Sequence, residues 1–178
     1  ILYRSRQGDA LRAHYVLSGL DPVSDKPTIH YLSKFLDATK SRMFFARKVI
    51  LVEGIAEQLL IPRMFEFHFG RSMEQVGCNI INVNGVAFSP FLKVIRNGYF
   101  IRCVVLTDSD QGKATAERAT DLKKEFDQVE LTLIQISEHN TFENDLILAN
   151  RSGKGKDILL AALKSTKPVS GAALEGAY

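Results

Sequence analysis

"KVILVEGIAEQLLIP", residues 48–62, decides the fold. Lys48 to Val52 reads as a short core strand, and the apolar spacing from residue 55 to 69 as an amphipathic helix. Between them stand Glu53 and Gly54, with Glu57 four residues beyond Glu53. If the helix has begun there, the two carboxylates lie on nearly the same face. Gly54 reads as room for close packing where strand becomes helix, and Pro62 predicts a kink or restart because it removes a backbone hydrogen bond. A charged pair at the mouth of a core strand needs a reason.

Outward from this stretch the same alternation recurs. "CNIINV" (78–83), "RCVVLT" (102–107) and "VELTLIQI" (129–136) read as strands. Residues 88–97, 113–127 and 141–149 read as helices, the second of them exposed and charged. Upstream, "GLDPVSDKP" (19–27) reads as a turn and 28–45 as a helix that Thr28 caps. Strands alternating with helices predict an α/β fold with a mostly parallel central sheet covered on both faces.

Ligands of such sheets bind at the carboxyl ends of the strands, which is where the acids fall. Glu53 and Glu57 follow the first core strand, Asp108 and Asp110 a later one, and Glu143 and Asp145 the last. Ser109 is expected to let both aspartates turn the same way. Each pair alone has an ordinary explanation, since acids favour helix starts. Together they place six carboxylates in one small volume, where like charges repel and raise one another's pKa values. Hard divalent cations with oxygen ligands relieve that repulsion, so the acids are read as metal ligands.

Composition sets the bounds. The chain has 178 residues, 46% apolar and 24% charged, which is globular. No apolar run approaches a membrane span and no signal peptide is visible. Cys78 and Cys103 lack metal-ligand spacing and read as buried thiols of a reducing compartment. His14, His30, His68 and His139 are scattered without partners, and Phe65, Phe67, Phe88 and Phe91 read as core rather than as base-stacking residues. Residues 1–48 carry nine Lys/Arg against four Asp/Glu, residues 151–178 five against two, and residues 49–150 nine against fourteen. Basic flanks around an acidic centre suit a metal pocket that attracts a polyanion, although ordinary surface charge gives the same tally.

"VILVEGIAEQLLIP", "NIINVNGVAFSPFLK", "VVLTDSD" and "NTFENDLILA" resemble the Toprim (topoisomerase-primase) domain of the overcoming-lysogenization-defect (OLD) family of nucleases. Glu53 and Asp108-Ser109-Asp110 match the general Toprim pattern. Glu57, the "NVNG" turn at 82–85 and the acids at 143 and 145 resemble the OLD branch. The resemblance covers roughly residues 28–160 and implies a Toprim-like Rossmannoid three-layer fold with helical flanks. It divides the chain into a helical lead-in (1–45) from a preceding ATPase domain, a catalytic domain (46–150) and the start of a truncated C-terminal helical segment (151–178).

The activity it implies is that of an endonuclease or nickase hydrolysing DNA phosphodiesters with two Mg²⁺ or Mn²⁺ ions. Glu53, Glu57, Asp108 and Asp110 are then first-rank ligands, with Glu143 and Asp145 completing the second site; Glu53 is alternatively a general base. The family's catalytic lysine falls on Lys154 or Lys156, which read equally as loop lysines, or beyond Tyr178. ATP enters only through a domain absent from this chain, because "SGKGK" (152–156) lacks phosphate-loop spacing. DNA is expected as a partner through its phosphates, with no membrane. A homo-oligomer formed through the ATPase domain and a helicase partner are further expectations of the resemblance. The implied setting is the cytoplasm, prokaryotic or phage-encoded, in phage defence. The alternatives are a haloacid-dehalogenase-type phosphatase, in which Asp108 is a nucleophile, a receiver domain, and a Toprim-like module that binds DNA without cleaving it. The late position of Asp108 opposes the first, and acids where a lysine belongs oppose the second.

Overall fold

The computed structural model describes residues 2–4, 11–13, 17, 19–35, 40–85, 87–99, 101–113, 115–128 and 130–166; His14 and the residues beyond 166 lie outside these. The lead-in is not purely helical. Strands β1 (Leu2–Arg4) and β2 (Leu11–Ala13) pair antiparallel ahead of helix α1 (Lys26–Phe35). Thr28 does not cap α1: it is buried within the first turn, while Asp25 precedes the helix and its carbonyl accepts the Ile29 N–H. A tight 3₁₀ segment at Lys40–Phe45 occupies the end of the expected 28–45 helix.

Four parallel strands follow, β3 (Lys48–Val52), β4 (Cys78–Asn82), β5 (Arg102–Thr107) and β6 (Thr132–Ile136), in the spatial order β4-β3-β5-β6. Their connections are α2 (Ile55–Phe69), α3 (Ser89–Val94) and α4 (Ala116–Phe126); α5 (Phe142–Ala149) and α6 (Gly153–Thr166) follow β6. The chain leaves β3 toward β4 on one side, then crosses back to β5 on the other. β3 and β5 are therefore neighbours at the reversal of strand order, the place beyond whose carboxyl ends open parallel sheets bind ligands.

The two faces of the sheet differ. Ile81, Leu51, Val105 and Ile134 align in register across the four strands and are at most 1% exposed. They share one core with Phe88, Phe91, Leu92, Val94 and Phe126 from the α3 and α4 connections, and with Leu32 and Met43 from the lead-in. The reverse row, Ile80, Ile50, Val104 and Leu133, is only partly covered, and Leu133 is half exposed. Right-handed crossovers assign α2 to this second face, opposite α3 and α4. Coverage of both faces is thus unequal.

Helix α2 is continuous but unusually exposed. It runs through Pro62 without a restart, and Gly70 at φ 66° ends it by returning its N–H to the Glu66 carbonyl. It is also not simply amphipathic. Ile55, Leu59, Leu60, Met64, Phe67 and Phe69 are all exposed, and its buried residue is Glu57. Phe88 and Phe91 are core as expected, whereas Phe67 faces outward.

Candidate metal centre

The site grows from the two central strand ends. Glu53 leaves β3 and Asp108 leaves β5, side by side because β3 and β5 pair. Glu53 Oε1 accepts a short hydrogen bond from the Thr107 hydroxyl and a 3.0 Å bond from the Asp108 N–H. The "NVNG" turn holds the same residue from the other side. Val83 N–H donates to the Val52 carbonyl and Gly85 N–H to the Glu53 carbonyl at 2.8 Å, with Asn84 at φ 57° and Gly85 at φ 109° making the reversal. The Asn82 side chain braces the turn by accepting the Asn84 N–H.

Glu57 is the unusual residue. It is 6% exposed, yet among the described residues its carboxylate has neither a hydrogen-bond donor nor an ion-pair partner. An ionised group so buried is costly unless a cation compensates it. It folds back over Gly54, where an added Cβ would stand 3.1 Å from Glu57 Oε2. Gly54 has φ −138° and ψ −177°, ordinary extended backbone, so the glycine provides space rather than conformational freedom.

Asp108 and Asp110 do not turn the same way. Asp108 Oδ1 accepts the Phe142 N–H at the start of α5 (2.9 Å). Burial pushes the Asp108 carboxyl up to about 6 against that hydrogen bond, and Glu53, Glu57 and Glu143 push it in the same direction as burial. Asp110, at φ 48°, faces the start of α4 instead. It accepts from Lys113 Nζ (2.7 Å) and Thr115 Oγ1 (3.0 Å), and Arg118 lies 3.6 Å away. The Lys113 hydrogen bond, helped by Thr115 and by the charge of both cations, keeps it below the usual carboxylate range despite some desolvation. Ser109 separates the two: it is buried and pinned to the 137–139 loop, its N–H donating to Ser137 Oγ and its hydroxyl to the His139 carbonyl.

The third acidic pair divides. Glu143 is exposed on the first turn of α5 and its charge reaches Asp108. Asp145 instead accepts the N–H groups of Glu138 (3.0 Å) and His139 (2.8 Å) and meets His139 Nδ1 at 2.7 Å. Desolvation opposes these bonds, but they win and hold its pKa low. Its carboxylate closes the 138–145 loop rather than joining the others. Lys154 and Lys156 lie in the first turn of α6. Among the described residues, the cations paired with Glu53 and Asp110 are Lys113 and Arg118 instead.

Among the described residues, no three His, Cys, Asp or Glu side chains are drawn into a ready-made metal cage. The donor chemistry nevertheless fits a hard divalent cation: the charges of Glu53, Glu57 and Glu143 all bear on Asp108, and Glu57 is buried with no donor or ion-pair partner among the described residues. Thr107, Lys113, Thr115 and Arg118 were not legible as site residues. A weak hint was available, because Arg118 lies in the first turn of α4, where a cation opposes the helix dipole that Glu117, Lys123 and Lys124 follow.

The family model described as "Overcoming lysogenization defect protein-like, TOPRIM domain" matches residues 44–110. The C-terminal region of the Xanthomonas campestris pv. campestris OLD protein, in its iodine-phased structure, is 25% identical with a TM-score of 0.50, over 70% of this chain and 65% of that one. The platinum-phased structure of the same region is 24% identical with a TM-score of 0.51, over 71% of this chain and 64% of that one, and bears on the fold alone. The chain therefore spans just under two thirds of these regions. None of the curated proteins matches it. No helix among the described residues is long and apolar enough to cross a membrane. Residues 44–110, which carry Glu53, Asp108 and Asp110, thus match the OLD-like Toprim family model, and the sheet that positions these acids is similar in fold to the C-terminal regions of OLD proteins.

Proposed function

We propose that this chain hydrolyses DNA phosphodiester bonds with divalent cations, Mg²⁺ or Mn²⁺, as the nuclease module of an OLD-type ATPase-nuclease. The observation that carries the reading is Glu57: a buried carboxylate with no donor among the described residues, beside an Asp108 whose charge is already disfavoured. Glu53, Glu57, Asp108 and, once free, Asp110 are the residues to hold two ions, with Glu143 near enough to contribute charge. When bound, such ions activate water and stabilise the leaving oxygen of an in-line displacement.

The chain's own residues supply orientation. Thr107 and the Asp108 N–H fix one oxygen of Glu53 and leave Oε2 without a donor among the described residues. Phe142 N–H fixes one oxygen of Asp108 in the same way. Lys113 and Arg118 bring positive charge to this edge of the sheet, where a phosphate approaches an otherwise acidic centre. DNA contact is expected through phosphates, without base reading.

Supercoiled plasmid incubated with Mg²⁺, with Mn²⁺ or with EDTA tests the reading. Nicked or linear product in the first two arms and none in the third is expected. A well-folded chain that cuts nothing under any condition, while still binding duplex DNA, would instead support a non-cleaving module.

A further inference from the structure

Resting on the metal-dependent reading above, we infer that Lys113, Thr115 and Arg118 form a cationic latch on Asp110, so that this edge of the sheet takes up divalent ions in a fixed order. Glu57, Glu53 and Asp108 receive the first ion, and Asp110 takes part only after Lys113 and Arg118 let go.

The distribution of donors over the carboxylate oxygens carries this. Glu57 has no donor among the described residues, and Glu53 and Asp108 each keep one oxygen clear: Oε2 of Glu53 and Oδ2 of Asp108. Asp110 has neither oxygen clear. Oδ1 is taken by Lys113 at 2.7 Å, and Oδ2 by Thr115 at 3.0 Å with Arg118 at 3.6 Å. The backbone reinforces the arrangement. Asp110 N–H donates to the Asn140 carbonyl, Lys113 N–H returns to the Asp110 carbonyl, and Asp110 sits at φ 48°, an uncommon conformation for a residue with a side chain.

Arg118 also bridges the two groups of ligands, since its guanidinium is 3.3 Å from Glu53 Oε1 while 3.6 Å from Asp110. It is 28% exposed and the two acids 16% and 14%, so these pairs are screened but not fully solvated. A divalent ion that recruits Asp110 must displace cations already in place. Lys113 thus competes with the second ion alone, whereas Arg118, hydrogen-bonded to Glu53 Oε1 and paired with Asp110 Oδ2, opposes both.

Titration of Mn²⁺ into the full chain by calorimetry, with melting followed in parallel, tests the latch. The parent is expected to show a stronger and a weaker binding event, and Asp110→Asn to lose only the weaker. Lys113→Ala is expected to tighten the weaker event by up to about fivefold, the scale of one partly exposed ion pair, with the stronger event unchanged, whereas the Lys113→Ala/Arg118→Gln double variant should tighten both. Thr115→Val, which removes one neutral donor, should shift the weaker event less and in the same direction; this variant decides the matter if the lysine variants do not fold. A weaker event that is unchanged or loosened in these variants, with the stronger one intact, overturns the latch but not the metal reading. A folded parent that binds no Mn²⁺ overturns both.

Discussion

Thr107 and Glu53 are locked together across the two central strands: the last residue of β5 donates its hydroxyl to Oε1 of the acid that leaves β3. That bond, with the Asp108 N–H on the same oxygen, gives Glu53 one orientation. Thr107→Val keeps the shape but removes the donor, and is expected to cost about 1–3 kcal/mol, as for a lost hydrogen bond to a charged group. Thr107→Ser should retain most of both stability and cleavage. Urea unfolding beside plasmid nicking checks it; equal stability of all three proteins would show that the bond contributes nothing.

Glu57→Gln separates a metal ligand from a helix-start charge. A ligand predicts cleavage lost by orders of magnitude, weaker Mn²⁺ binding and a metal-free protein as stable as the parent or more so, because a buried carboxylate with no donor among the described residues is replaced by a neutral amide. A helix-start charge predicts full activity and a loss of about 0.3–1 kcal/mol. The structure favours the inactive, well-folded outcome.

Gly54→Ala should act through Glu57. The backbone at Gly54 is ordinary extended chain, so alanine is expected to fold, yet its Cβ would press within 3.1 Å of Glu57 Oε2. The carboxylate must give way by a few tenths of an ångström. Reduced Mn²⁺ affinity with a nearly unchanged melting temperature is expected; unchanged affinity would mean that the carboxylate has room elsewhere.

Asp108 gives the metal-free protein a pH signature. In the unfolded chain an aspartate titrates near ~3.9, whereas in the fold burial and the neighbouring acids raise it to about 6. The folded state therefore holds a proton that the unfolded state has lost. The resulting stabilisation is complete below the unfolded value and disappears as pH rises through about 6. With EDTA present, Asp108→Asn should flatten this slope and be more stable than the parent at about pH 8. Urea unfolding followed by circular dichroism across that window decides it, and parallel curves for the two proteins would refute the assignment.

On the proposed reading, binding to duplex DNA should weaken steadily with salt, because the basic residues of the flanks, with Lys113 and Arg118, would meet phosphates rather than bases. A labelled duplex titrated from low to high salt measures the slope. A salt-independent affinity, or a marked preference for one sequence, would count against phosphate contact.

The sequence by itself determined the strands of the parallel sheet and the edge at which the acids gather. β3, β5 and α2 begin and end where apolar spacing, Gly54 and Gly70 place them, because hydrogen-bond periodicity and turn chemistry act over a few neighbouring residues. Glu53, Asp108 and Asp110 were legible for the same reason, as acids directly after core strands. Which acids meet was decided only by tertiary structure. Strand order brings Glu53 beside Asp108, burial leaves Glu57 without a donor, the 138–145 loop claims Asp145, and α4 returns Arg118 to residues far away in sequence. Such pairings depend on crossover direction and loop closure, and a charged side chain takes whichever partner the fold delivers within hydrogen-bond reach.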